Sequence, residues 1–141
     1  MTADKIKRLL DTFVEESERD FTVEILRRKT RRRVGSYKPR DRRILLYPNC
    51  AYANTRYWAI VGVALHELAH HLVYKRHGPG YHTHGEEYWT LHNDLLAEFN
   101  CRYAELLKGR VVCDRNPRKV PKFIKFTNSS AEPIMAGGKL S

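Results

Sequence analysis

From Trp58 to Leu65 eight consecutive positions carry no polar side chain, and the next five read His66-Glu67-Leu68-Ala69-His70. Asn54 or Thr55, either a suitable N-cap, precedes this stretch, and His77-Gly78-Pro79-Gly80 stops it, so the pattern predicts one long helix running to about Arg76. A helix that is apolar on nearly every side has to lie in the centre of a domain. Eight apolar residues fall far short of the roughly 20 that span a bilayer, so no membrane partner is expected. Any fold this chain adopts must therefore be built around a buried helix that carries two histidines and a glutamate.

The other elements follow from simpler periodicities. Ile6, Leu9, Leu10, Phe13 and Val14 recur at helical spacing and predict a helix from about Ala3 to Glu18. Phe21, Val23 and Ile25 alternate with polar residues, as a half-buried strand does. Arg31 to Tyr37, containing Gly35, reads as a second strand, Lys38-Pro39-Arg40-Asp41 as a turn, and Ile44 to Tyr47 as a third strand stopped by Pro48-Asn49. Tyr88, Leu91, Leu95, Phe99, Tyr103 and Leu106 mark one face of a helix from about Glu86 to Leu107, closed by Gly109. The expected fold class is α+β, with an N-terminal helix, a small twisted sheet of three strands that includes a basic hairpin, the central helix and a second packing helix. The domain spans residues 1–113. Residues 114–141 hold Pro117, Pro121, Pro133 and Gly137-Gly138 without a sustained period, and are expected to form a basic extended or disordered tail that pairs locally at Lys122 to Phe126.

His66-Glu67-Leu68-Ala69-His70 is an HExxH motif. Four residues are slightly more than one helical turn, so both imidazoles leave the same face and can share a metal ion. Glu67 borders that face, close enough to take a proton from a water that the metal activates, without ligating the metal itself. Zn²⁺ suits imidazole ligands and an open fourth position. Two solvated histidines on a surface helix would be the plain alternative. It fits poorly with the most apolar helix in the chain, where buried polar groups need a compensating partner.

A third ligand is required. The metzincin pattern fails because Val73 and Arg76 stand where it needs Gly and His, and the HxxxHxxxxxH endoribonuclease pattern fails at Arg76 as well. A thermolysin-like Glu would fall at Thr90. His77, His82 and His84 in the following loop and Glu98 on the next helix remain candidates. His84 stands at the helix junction, held by a rigid element, with Gly85 permitting close backbone approach. His77 also opens a His-Gly-x-x-aromatic run, but Pro79 and Gly80 cannot start a helix well. His82 is assigned to the surroundings of the metal or the substrate side. His71, about 100° round the helix from His70, is assigned a structural or solvated place.

His66, Glu67, His70, His84, Gly85 and Tyr88 together resemble the SprT-like zinc metallopeptidases, whose pattern is HExxH, a variable loop, then His-Gly-x-x-aromatic opening the next helix. The upstream order of helix, strand, basic strand with Gly35, and Arg43-Ile44-Leu45-Leu46-Tyr47-Pro48 is similar to that family too, over about residues 3–107. The resemblance implies a minimal zincin-like peptidase with zinc on His66, His70 and His84, and Glu67 as general base for hydrolysis of a peptide bond. Tyr81, His82 or Tyr88 could add an oxyanion donor. No cysteine pair is present to build the C-terminal zinc ribbon that many of these proteins carry. A second resemblance, to ImmA/IrrE-type metallopeptidases, rests on Glu98, Asn100, Ala104, Leu106 and Leu107 and would make Glu98 the third ligand. A third reading is a DNA-binding module that cleaves nothing, its metal closed off by His82 or Glu98 as fourth ligand.

Charge supplies the expected partner. Lys and Arg number 26 against 16 acids, a net of +10. Arg27, Arg28, Lys29, Arg31, Arg32, Arg33, Lys38, Arg40, Arg42 and Arg43 face the single acid Asp41 in one segment of net +9, and Arg110 to Lys125 adds +5. The rest of the chain is mildly acidic, at −4. Such a cluster exceeds what solubility needs and points to nucleic-acid phosphates, with DNA-associated proteins as substrates and Tyr37 able to stack on an unpaired base. Asp4, Lys5, Lys7 and Arg8 interrupt the N-terminus before a signal-peptide core can form, and Cys50, Cys101 and Cys113 make no Cys-x-x-Cys pair. A cytoplasmic, nuclear or nucleoid-associated place is expected, and secretion is not.

Overall fold

The computed structural model describes residues 1–53, 55–80 and 84–114, and the backbone of 132–135. The architecture is α+β. In chain order it runs α1 (Ala3–Asp11), a short 3-10 turn (Glu16–Glu18), β1 (Thr22–Ile25), β2 (Gly35–Lys38), β3 (Arg43–Leu46), α2 (Tyr57–His77), α3 (Glu86–Arg102), α4 (Ala104–Leu107), β4 (Arg110–Cys113) and β5 (Glu132–Met135). Among these helices none is long and apolar enough to cross a membrane.

The central helix is buried as its composition requires. Every residue of α2 from Ala59 to Leu65 is buried, and Leu65, Leu68 and Leu72 continue the contact with the core. Ile60, Val61 and Val63 are β-branched and poor helix formers on their own, so burial holds this segment helical, at about 1.5–3 kcal/mol for each large side chain. Its N-cap is Arg56, which makes no side-chain capping bond, in place of Thr55, while Asn54 lies outside the described residues. At the other end Lys75, Arg76 and His77 complement the helix dipole, and Gly78 at φ 83° ends the helix in a conformation that disfavours other residues.

β1, β3 and β2 form a mixed sheet in that order, with β1 parallel and β2 antiparallel to β3. Ile44 and Leu46 of β3 join the core with Ile6, Leu10, Phe21 and Val23, where β3 packs on α2 and β1 on α1. β2 is an edge strand. Gly35 lets it lie directly on α2, since a Cβ there would overlap Val63 Cγ1 and come within 3.3 Å of Glu67 Cγ.

Four expectations need correction. The first helix ends at Asp11, because the Thr12 N–H turns back to Leu9 in a 3-10 bond, and only Glu16–Glu18 winds again. The second strand begins at Gly35, so the basic segment is only partly a hairpin. Arg27 to Arg33 belong to the connection that crosses from β1 to β2, anchored by the bridge between Thr30 and Cys50. The third helix breaks after Arg102, where Tyr103 leaves helical geometry, and resumes as α4. Asp114 belongs to the body, where it is 2% exposed. Beyond it, the backbone of Glu132–Met135 pairs in parallel with β4, while Lys122 to Phe126 lie outside the described residues.

Candidate metal centre

His66 and His70 project from one face of α2, one turn apart, and His84 meets them from the start of α3. The Nε2 atom of His84 is 3.3 Å from Nε2 of His66 and 3.1 Å from Nε2 of His70. The His84 backbone makes this possible. At φ 59° it is in the left-handed region, which turns the chain sharply just before the Gly85 N-cap of α3. His84 is packed against Trp89 in a stacked arrangement, and His70 against Tyr88 at 4.4 Å between ring centres.

These residues fit a metal ion. Ligand nitrogens about 2.0–2.1 Å from a tetrahedral ion stand about 3.3–3.4 Å from one another, close to the two distances that His84 Nε2 makes to His66 and His70, and the ligand atoms of all three residues lie within 4.8 Å of one another. Burial, with the neighbouring histidines His66, His84 and His92, pushes the His70 imidazole down to about 3, so it is neutral and its lone pair is available. A proton shared between two of the nitrogens could satisfy one pair of the cluster and would leave the third lone pair facing them.

Asp114 holds His66 from behind. Its carboxylate lies 3.3 Å from Nδ1 of His66 and accepts from that N–H, a tautomer that turns the Nε2 lone pair towards His70 and His84. His92, fully buried on α3, brings Nε2 within 3.6 Å of the same carboxylate. Asn100 fixes the strand that carries Asp114. Its side-chain amide donates to the Val112 carbonyl at 2.8 Å, and its carbonyl accepts from the Val112 N–H at 2.7 Å.

Glu67 is 5% exposed and lies on the side of α2 that meets Gly35. Burial pushes its carboxyl up to about 7, opposed by His66 and reinforced by Asp114. A cleft of about 800 Å³ opens over His66, Glu67, His70 and His84, and runs between edge strand β2 and the Gly78–Gly80 end of α2. Tyr37, Arg40 and Tyr74 form its walls.

The remaining candidates separate clearly. His77 is exposed at the end of α2 and does not join the triad. Glu98 is exposed and pairs with Arg102 at 2.5 Å, in no group of ligand atoms with His66 and His70. Tyr81 and His82 lie outside the described residues. Tyr88 is not placed to donate to an oxyanion, since its hydroxyl donates to the His66 carbonyl at 2.9 Å. His71 is structural. Its Nε2–H donates to the Glu18 carbonyl at 2.9 Å, and its Nδ1 accepts from the Tyr37 hydroxyl at 2.7 Å. That bond makes Tyr37 part of the rim packing between β2 and α2, and ties its ring to the protein instead of leaving it free to follow a base. Arg27, Arg28, Lys29, Arg31, Arg32, Arg33, Lys38, Arg40 and Arg42 are exposed, with Arg43 half-buried.

Sequence reasoning missed His92 and Asp114. His92 follows no spacing rule relative to HExxH, and Asp114 sits where the apolar pattern stops, so only the fold brings either to His66. Neither a scan against protein-family models nor searches of the curated proteins and of the solved structures found a match for this chain.

Proposed function

We propose that the chain is a zinc-dependent, zincin-like metallopeptidase, with His66, His70 and His84 as ligands and Glu67 as general base. The observation that carries this reading is the convergence of three imidazole Nε2 atoms beside a buried glutamate, at the floor of a cleft bordered by an edge strand. The resemblance to SprT-like peptidases at His66, Glu67, His70, His84, Gly85 and Tyr88 supports it. Zinc, when bound, would acidify a water and polarise the scissile carbonyl.

The chain's own residues do the rest. Glu67 takes the proton of the attacking water and hands it to the departing amine. Asp114 keeps His66 in the ligand tautomer, and Tyr88 and Trp89 hold the His70 and His84 rings in place. An extended peptide can lie along β2, whose outer edge is not paired within the three-stranded sheet. The basic residues on and before the hairpin would bring the enzyme to DNA and so to DNA-associated proteins.

Glu67→Gln tests the reaction. It should bind zinc like the wild type and lose peptide hydrolysis by about 10²-fold or more. Full hydrolysis by that variant would remove Glu67 as the base. The reading with Glu98 as third ligand has the Glu98–Arg102 ion pair against it.

A further inference from the structure

The basic segment is not an even coat of charge. Six of its ten basic residues line two adjoining concavities. One is the cleft over the histidines, which Arg33 and Arg40 border. The other, of about 580 Å³, lies over Leu45 and Tyr47 on the sheet, and Arg27, Arg28, Arg33, Lys38 and Arg43 surround it with Glu24 as the one acid. Arg33 lines both. Arg31 and Arg32, its neighbours in sequence, line neither.

The second cavity is built from the fold. Leu45 and Tyr47 of the β3 segment are buried but do not belong to the main core, which takes Ile44 and Leu46 from the opposite face. The crossing connection lays arginines over them instead. The Arg28 guanidinium stands 5.5 Å from the Tyr47 ring centre. Burial alone would raise the Tyr47 phenol, yet Ser36, Arg28 and Arg33 beside it hold it below the ordinary tyrosine value. Arg43 spends two of its nitrogens on Glu24, at 3.3 Å, and Asp41, at 3.6 Å, while its buried Nε has no hydrogen-bond partner among the described residues. Among the described residues no carboxylate lies within ion-pair distance of Arg28, Arg33 or Lys38.

We infer that this cavity is a seat for a nucleic-acid phosphate, held by Arg28, Arg33 and Lys38, and that Arg33 joins it to the metal cleft so that the strand's neighbouring phosphates pass towards Arg40. Guanidinium forks suit phosphate oxygens. A single phosphate would need one cavity, whereas two that share a cation form a track for a polyanion. A lipid surface fits less well, because among the described residues the exposed large apolar side chains are Met1, Tyr52, Tyr57 and Leu106, none of which lines the cavity. The inference deepens the nucleic-acid part of the proposed function and does not depend on peptide cleavage.

Full-length Arg28→Ser/Arg33→Ser and Arg31→Ser/Arg32→Ser remove equal charge from the same segment. Binding of labelled single-stranded and duplex oligonucleotides across a salt series should fall at least tenfold for the first pair. Its log–log salt slope should shrink by about 2, one for each arginine withdrawn from a phosphate. The second pair should weaken binding less than threefold. Lys38→Ser, at an exposed position, gives an independent reading and should lower affinity with a slope reduced by about 1. Equal weakening in the two double variants would mean diffuse attraction and overturn the seat. Binding of phosphatidylserine vesicles without oligonucleotide binding would overturn the nucleic-acid assignment. Oligonucleotide binding that depends on Arg28 and Arg33, in a wild type that cleaves no peptide, would uphold the seat and remove the peptidase reading alone.

Discussion

Asp114 sets its carboxylate 3.3 Å from Nδ1 of His66, across 48 residues of sequence. The contact depends on a relay: Asn100 on α3 clamps Val112 on β4 through two hydrogen bonds, and two residues later β4 delivers Asp114 against α2. A buried carboxylate here does two things. It selects the His66 tautomer that can ligate, and it supplies negative charge beside a cluster that could hold a cation. Asp114→Asn should therefore weaken zinc binding by about 10–100-fold. Competition against a chromophoric chelator measures it, with circular dichroism confirming the fold. Unchanged affinity would show that Asp114 does not orient the ligand.

Asn100→Ala should act on stability first. It leaves the N–H and C=O of buried Val112 without their partner, at a cost of about 1–3 kcal/mol for each group left unsatisfied. Urea unfolding reads the loss. A midpoint equal to the wild type's would mean β4 is held by other contacts.

Gly35→Ala should lower stability by about 1–3 kcal/mol through overpacking against Val63 and the stem of Glu67. Gly35→Ala/Val63→Ala should recover most of that loss, because the overlap is with Val63 Cγ1. A double variant no more stable than Gly35→Ala would place the strain elsewhere.

Glu18 gives the molecule an acid limit. Arg76 donates to its two oxygens at 2.7 and 3.1 Å, and those hydrogen bonds, against the opposing effect of burial, hold the carboxyl below its ordinary value of 4.5. A depressed folded-state value means that the stabilisation is complete above 4.5 and is lost as pH falls below it. Thermal unfolding should show Arg76→Gln less stable at pH 7 by about 1–2 kcal/mol, the half-exposed guanidinium tempering the effect. The two proteins should converge as the pH drops through the folded-state value. A constant gap at all pH would mean Arg76 acts through packing.

Much of this was legible in the chain. The apolar run Trp58–Leu65 forces α2 into the centre, and helical spacing alone puts His66 and His70 on one face. Three strands, their approximate places and the second packing helix follow from period and turn residues. What escaped is of another kind. Thr12 and Tyr103 end helices whose apolar stripes run on, because local 3-10 bonding and a change of chain direction override periodicity. Arg31 to Arg33 have strand-like neighbours, but the connection must cross β3 to reach the far edge of the sheet, so they stay outside it. Tyr88 is one of three oxyanion-donor candidates that spacing does not separate, and only its bond to the His66 carbonyl shows that the hydroxyl is committed. Asp114 and His92 become partners of His66 solely through tertiary packing.

The central claim is that His84 completes the metal centre with His66 and His70. Zinc stoichiometry of the wild type, His84→Ala and Glu98→Ala after dialysis against a mild chelator tests it most directly. The wild type and Glu98→Ala should each retain one equivalent of zinc, and His84→Ala should retain none. Zinc retained by His84→Ala and absent from Glu98→Ala would contradict the claim.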